Sequence, residues 1–394
     1  MHVSSTSHSA FEVVVIGGGI SGTAAAYELA RHGVRVALLE QGDLASMASG
    51  WTLAGVRQSG RHPAELPLAM AAVRRWAGLS DELGADVEYR REGNLRLART
   101  PEQVPEIERV VETGRAQGLD LTFLPDNRSM REIAPALAET VRAASFCPTD
   151  GHANPTKTVR AFAEAAIRHG ATIRTGVTVT GIVAEGGRIG GVRTGDGRVS
   201  ADTVVIAAGV HSERLIAPLG LSLPLRISVV AAIQTVPLPP LLAQVLGVAG
   251  ADLAGRQEAD GRLRFTGGGR PWEHDLTELA EGYDIVQPPA GEVAGVVERV
   301  SLVLPAFADA PVARVWGGLL DKTPDALPVL ERTAVDGLVL AAGFSGHGFC
   351  LGPVTGQIIR ELVIDGHASL PIEPFRNDRF VAMDRGEEAA TLHG

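Results

Sequence analysis

The chain has 394 residues, 45% hydrophobic and 21% charged, with 47 glycines and only 4% aromatics. It is too long for one ordinary domain of about 150 residues and too apolar for disorder, so two lobes around a core of Ala, Val and Leu are expected. Thirty-six basic against 46 acidic residues leave a net charge of -10, which disfavours nucleic acid and anionic membrane as partners and leaves small molecules.

Two cysteines, Cys147 and Cys350, cannot build a disulfide framework and have no metal-ligand spacing with histidines, so no metal is expected. Met1 to Phe11 carries no Lys or Arg, and the apolar run Val13 to Ile16 is too short for a leader and stops at glycines. No segment approaches the roughly 18 apolar residues of a membrane span, and the expectation is a cytoplasmic protein.

The chain opens with a β-branched strand, Phe11 to Ile16, that empties into Gly17-Gly18-Gly19-Ile20-Ser21-Gly22. A helix over Thr23 to His32 follows, ended by Gly33, and then a second strand, Val34 to Leu39, closed by Glu40. This is a βαβ unit with Gly17, Gly19 and Gly22 in G-x-G-x-x-G spacing: Gly17 for the tight turn, Gly19 for backbone approach to a pyrophosphate, Gly22 for helix packing. Glu40 is placed to accept from ribose hydroxyls and to repel a 2'-phosphate, which disfavours NADP; the unit leaves FAD and NAD open.

Pro63 to Leu83 has a helical apolar period through Leu66, Ala69, Met70, Val73, Trp76 and Leu79. Gly93 to Leu97 reads as a strand, Pro101 to Gln117 and Met130 to Ala134 as helices, and Pro155 to His169 as an amphipathic helix. Strands follow at Ala171 to Arg174 and Val177 to Val183, then glycine turns over Gly186 to Val199 and a buried strand at Thr203 to Ala208. From Leu221 to about Val315, long extended segments with Pro237, Pro239 and Pro240, a loop at Gly267-Gly268-Gly269 and a helix near Gly291 to Leu302 read as a second lobe. Leu338 to Ala342 is a last buried strand, followed by Gly343-Phe344-Ser345-Gly346-His347-Gly348 and a helix to Asp365. No tandem repeat is visible.

Four separated pieces resemble one family, the D-amino-acid-oxidase-like FAD amine oxidases that include glycine oxidase and sarcosine oxidase. They are Val13 to Glu40; Asp150-Gly151-His152-Ala153-Asn154-Pro155 with its helix; Ala207-Ala208-Gly209; and Trp316 to Asp325 with Gly343 to Phe349. The resemblance implies an α/β fold: a Rossmann-type FAD-binding lobe (1–86, 141–220, 316–394) with an interleaved α+β substrate lobe (87–140, 221–315) on a mostly antiparallel sheet. It implies FAD held by Gly17, Gly19, Ile20, Ser21, Gly22, Glu40, Gln41, Ser49, Ala208, Gly209, Gly343, Ser345, Gly346, His347 and Gly348, with the Val179 backbone against adenine. Gly343 to Gly348 and the helix behind them are expected to aim N–H groups at the flavin N1–C2 carbonyl region. The chemistry implied is hydride transfer from a substrate Cα–H to flavin N5, giving an imine.

The chain also departs from the family. Gly318 stands where monomeric sarcosine oxidases carry the cysteine that links FAD, and Pro155, beside His152, where the β subunit carries the histidine that tethers FMN. One noncovalent FAD and no FMN are therefore expected. Leu320 replaces the substrate arginine of glycine oxidase, and Cys350 the lysine of sarcosine oxidase. The remaining cationic candidates are Arg57, expected at the active face, and Arg264, expected to steady substrate or superoxide, with Arg256 as a third. His347 is expected to pack or hydrogen-bond locally rather than serve as a base, Cys350 to be a small buried apolar residue, and Asp325 to be structural.

The expected activity is oxidation of an amino acid, in particular an N-substituted glycine, to an imine that hydrolyses to glyoxylate and free amine, with oxygen as acceptor. The alternatives are a β-type subunit of a proline, opine or glycine dehydrogenase that passes electrons to a partner subunit, and a D-amino-acid dehydrogenase. Homo-oligomerisation is left open.

Overall fold

The computed structural model describes residues 11–276 and 286–381. Residues 1–10, read above as leaderless, lie outside the described residues, as do the outer ends of the two lobe ranges that run to 1 and to 394.

A six-stranded sheet carries the first lobe, in the order Val329–Arg332, Leu338–Ala342, Ala201–Ile206, Phe11–Ile16, Val36–Leu39, Thr172–Arg174. All neighbours are parallel except the outermost Val329–Arg332. Phe11–Ile16 lies inside the sheet, and its run of β-branched residues is buried because both faces are covered. Val13 and Val15 pack against the helices Ile20–Arg31, Pro155–Arg168 and Gly348–Ile364. Val14 and Ile16 point the other way, onto the antiparallel sheet of Val179–Glu185, Arg188–Thr194 and Gly197–Val199.

The second lobe is an eight-stranded sheet in the order Val312–Lys322, Arg226–Pro237, Arg262–Pro271, Leu253–Gln257, Val245–Val248, Asn94–Ala98, Ala143–Cys147, Thr122–Leu124. It is antiparallel apart from the pair Val245–Val248 and Asn94–Ala98. Helix Ala290–Val303 lays Val296, Val300 and Val303 onto one face of it, against Ile233, Leu246 and Phe265.

Three expectations need correction. The helix read over Pro63 to Leu83 is two, Leu66–Trp76 and Leu79–Leu83, because the chain leaves helical geometry at Gly78. Gly267-Gly268-Gly269 is no loop but the interior of strand Arg262–Pro271, where a Cβ on Gly267 would come within 3.0 Å of Val296 on the covering helix. The lobe boundaries drawn at 141 and 316 divide a continuous sheet: Ala143–Cys147 and the whole of Val312–Lys322 hydrogen-bond inside the larger one. Which strands pair within a sheet is not visible to composition or to matched motifs, on which those boundaries were drawn.

Candidate active site

The phosphate turn is shaped by contacts that exclude side chains. Gly17 sits at φ +114, and a Cβ there would overlap the Ala207 carbonyl, while one on Gly22 would overlap the Gly17 carbonyl. Helix Ile20–Arg31 begins at Gly19, which has no side chain to cap it; Ser49 Oγ accepts from Ile20 N at 3.0 Å instead. Glu40 accepts from Gly18 N at 2.6 Å and from Gly42 N at 2.7 Å, so the acid at the end of the second strand also pins the turn.

The opposite end is the loop Gly343 to Gly348. Asp321, on the last strand of the large sheet, accepts from Gly343 N at 2.7 Å through its side chain and from Ser345 N at 3.0 Å through its carbonyl. His347 N donates to Phe344 O at 2.8 Å. The N–H groups of Gly343, Ser345 and His347 are thus spent inside the loop. Among the described residues those of Gly346 and Gly348 are left to face the cavity, fewer than the sequence suggested. Burial pushes the Asp321 carboxyl up to about 6 against the pull of the Gly343 and Phe344 N–H groups.

A single elongated cavity connects the two ends. Gly17, Gly19, Ile20, Ser21, Glu40, Gln41 and Ser49 border it on the phosphate side, Val179, Ala208 and Gly209 beside them, and Ser345, Gly346, His347 and Gly348 at the far end. Of the residues expected to hold the cofactor, Gly22 and Gly343 do not border it. Gly22 packs the helix against the turn, and Gly343, at φ +69 with its N–H on Asp321, shapes the loop from behind. The side-chain-free cradle at Gly17 to Gly19, the acid fixed at Glu40 and the second glycine loop together fit a dinucleotide with a large ring system lodged between the lobes.

The cationic candidates separate. Arg57 borders the cavity, is 2% exposed, and donates to Ser59 O at 2.7 Å. Burial, then Arg61 and Arg96, hold its guanidinium well below the usual arginine range. Arg264 is not brought to the cavity. It pairs with Glu258 at 2.5 Å, donates to Thr52 O at 2.9 Å, and lies 5.3 Å over the Trp316 ring, so its charge is taken up by Glu258. Arg256 is likewise withdrawn, 2.5 Å from His152 Nδ1. His152 itself is 3% exposed, and burial and Arg256 push it well below the usual histidine range. Leu320 borders the cavity; Cys350 does not, its Sγ lying 3.4 Å from the Arg57 carbonyl. Asp325 pairs with Arg379 at 2.7 Å, outside the cavity wall.

Several residues went unread. Arg61 borders the cavity beside Arg57 and pairs with the fully buried Glu65 at 3.5 Å. Glu65 in turn faces His347 Nδ1 at 3.1 Å. Asp150 accepts from Gln58 N at 2.9 Å and from the Ser59 hydroxyl, and fixes the segment that carries Arg57. Trp51, Trp316 and His211 complete the walls. The spacing Arg61 to Glu65 was an available signal, but it reads equally as a surface ion pair. Nothing local marks Trp51, whose ring lies where a Cβ on Gly318 would approach within 3.3 Å.

Residues 12–362 match the FAD dependent oxidoreductase family (DAO), and the chain belongs to that family. It is 29% identical to sarcosine oxidase subunit beta of Arthrobacter sp, over 97% of this chain and 95% of that one. It is 28% identical to glycine oxidase of Geobacillus kaustophilus, over 94% and 97%. The fold superposes on the crystal structure of L-proline dehydrogenase from P. horikoshii with a TM-score of 0.87 and 28% identity, covering 96% and 98% of the two chains. The protein is thus an FAD-dependent oxidoreductase of amino acids or amines, of sarcosine and glycine oxidase type. Among the described residues no helix is long and apolar enough to cross a membrane.

Proposed function

We propose that the chain oxidises the C–N bond of an N-substituted glycine, with noncovalent FAD and with oxygen as acceptor, releasing an imine that hydrolyses to glyoxylate and an amine. The observation that carries the substrate reading is the pair of buried guanidiniums, Arg57 and Arg61, on the cavity wall beside the glycine loop. Burial first, and then Arg61 and Arg96, depress Arg57, and Arg61 Nη1, 3.5 Å from Glu65, makes no hydrogen bond, so a carboxylate seated there relieves both. Arg61 is the anchor that offsets Leu320 and Cys350 in place of the family's cations. Trp51, Trp316, Leu319 and Leu320 form an apolar wall that excludes water and accommodates a substituent on nitrogen.

Bound FAD supplies the two-electron acceptor. The residues that hold it are those of the Gly17 to Gly22 turn, Glu40 and Ser49 at one end and Gly346 to Gly348 at the other. Gly318 offers no side chain for covalent attachment. The N–H groups of Gly346 and Gly348, at the positive end of helix Gly348–Ile364, stabilise negative charge at that end of the cavity. Both cysteines are free and buried, which supports the cytoplasm as the compartment.

Anaerobic mixing of the yellow holoprotein with N-methylglycine and longer N-alkylglycines tests this: bleaching of the flavin band near roughly 450 nm is expected. In Arg57→Ala the amine concentration needed for half the rate rises at least about tenfold. A panel in which no N-substituted glycine bleaches the flavin refutes the substrate reading. The likeness to a subunit named beta along 95% of its length favours a second reading, a β-type subunit that hands electrons to a partner; slow reoxidation in air would select it.

A further inference from the structure

The larger sheet carries a groove on the side that faces the cavity. Register places Trp316, Ala232, Thr266, Ala254, Gly247 and Arg96 side by side on six adjacent strands, one residue from each. Their chain neighbours Ile233, Phe265, Leu253 and Leu246 pack under helix Ala290–Val303, so by alternation the row faces the other way. Trp316, Ala232, Thr266 and Ala254 border the cavity. Between the tryptophan and the arginine the row holds only Ala, Thr, Ala and Gly. Gly247 is buried, yet among the described residues no atom beyond its chain neighbours lies within 4 Å of the place its Cβ would take. The next row on the same face is a ridge of long side chains, Gln234, Arg264 and Arg256, which Glu258 ties together. Rows on one face are about 7 Å apart, which admits a single extended hydrocarbon chain.

The groove has a polar end and an apolar end. A Cβ on Gly60 would lie 3.2 Å from Arg96 Nη2 and 3.5 Å from Arg57 Nη1, so Arg57, which borders the cavity, stands at the Arg96 end. At the other end Trp316 closes the row, and Trp51 lies 3.3 Å from where a Cβ on Gly318 of the same strand would be. A substrate whose carboxylate is held at Arg57 has the row running away from it toward the tryptophans. Gly247 to Ala232 spans three strand spacings, about 14 Å. From its carboxylate carbon N-methylglycine reaches only about 4 Å and N-hexylglycine about 10 Å, at about 1.3 Å per bond along an extended chain. The residues assigned to the cofactor lie on the first lobe and the glycine loop, and none belongs to this row.

We propose that Ala232, Thr266 and Ala254 are specificity-determining residues that seat the substituent on the substrate nitrogen, and that this substituent is a long hydrocarbon chain rather than a methyl group. Each methylene taken out of water along the row tightens binding about threefold to fourfold. The inference rests on the carboxylate reading of Arg57 and Arg61 and deepens it.

The test titrates the oxidised holoenzyme by calorimetry with alkoxyacetates, which keep the carboxylate and the chain but have an ether oxygen in place of the amine. From methoxyacetate to hexyloxyacetate the dissociation constant should fall about threefold per methylene, about a hundredfold or more in all. Ala232→Leu fills the row short of the tryptophans and should cut the preference for hexyloxyacetate over methoxyacetate about tenfold or more. Ala232→Val makes the smaller filling and serves if Ala232→Leu does not fold. N-hexylglycine should bleach the wild-type flavin at lower concentration than N-methylglycine and lose that advantage in the same variants. Equal affinity for the two ethers overturns the groove while the carboxylate reading stands. A preference that the Ala232 variants leave intact overturns its placement on this row. Binding of neither ether overturns both readings.

Discussion

Two helices start at the two ends of the cavity, and they touch at a glycine. Ile20–Arg31 begins at the phosphate turn and Gly348–Ile364 at the glycine loop. A Cβ placed on Gly356 would lie 2.6 Å from the Ala24 backbone carbon and 2.7 Å from its oxygen, about 1 Å inside contact distance. In an isolated helix Gly→Ala gains about 1 kcal/mol. Here the neighbour is backbone, which cannot swing aside, so the helices must part by about 1 Å and forfeit a quarter to a half of the dispersion along the seam. We expect Gly356→Ala to lose about 2 kcal/mol net of its propensity gain, and to weaken FAD binding because both ends of its seat are displaced. Gly291, in the helix Ala290–Val303 with nothing within 4 Å of its would-be Cβ, is the internal control. Gly291→Ala should gain up to about 1 kcal/mol. Urea unfolding of both variants, with flavin absorbance per protein after purification, decides the matter. If Gly356→Ala stabilises the protein as Gly291→Ala does and keeps its flavin, the close-approach argument is wrong.

Three further outcomes follow from the same geometry. Glu40→Ala removes the acceptor of both Gly18 N and Gly42 N, and the purified protein should carry little flavin and need excess FAD to turn yellow. Acid should destabilise the protein between pH 6.5 and 4. His347 and His211 are both pushed down to about 4, by burial first and then by neighbouring arginines, so over that window the unfolded chain takes up protons that the folded one refuses. Each histidine then drains about 1.4 kcal/mol per pH unit. Asp321, held up to about 6, acts the other way: its contribution is full below the ordinary carboxylate range and lost as pH rises through 6, so it offsets one of the two histidines. Urea midpoints at pH 7 and 5 should fall accordingly, and His211→Gln should flatten the drop; a midpoint that rises toward pH 5 contradicts the assignment. Arg264→Ala should cost about 1–3 kcal/mol, because Glu258 loses its nearest cation but keeps Arg256 at 3.7 Å and the Gln234 amide at 2.8 Å, yet leave the limiting rate of flavin bleaching within about twofold. A large loss of that rate without loss of stability would return Arg264 to the chemistry.

How much was legible depended on how local the physics was. The strand Phe11–Ile16, the glycine turn and Glu40 lie within thirty residues, and their spacing alone implied a dinucleotide seat, because turn geometry, helix start and strand end are each set by neighbours in the chain. The loop before Gly348–Ile364 was equally plain. The corrections came where a residue's fate depends on a distant partner. Gly267-Gly268-Gly269 read as a loop because glycines end strands in isolation, yet here Arg226–Pro237 holds them in register. Arg57 and Arg264 were indistinguishable as letters; one borders the cavity, and the other is bound to Glu258.

The sequence by itself determined the cofactor class and the lobe that binds it, since a backbone path stripped of side chains can be written only in glycine. The tertiary structure decided which charges reach the substrate. Arg61, Glu65 and His347 come from two segments about 280 residues apart, and only packing of helix Leu66–Trp76 against Gly348–Ile364 brings them within hydrogen-bonding distance in a dry interior. Electrostatics in that interior falls off over a few ångströms of space, a separation that distance along the chain does not record.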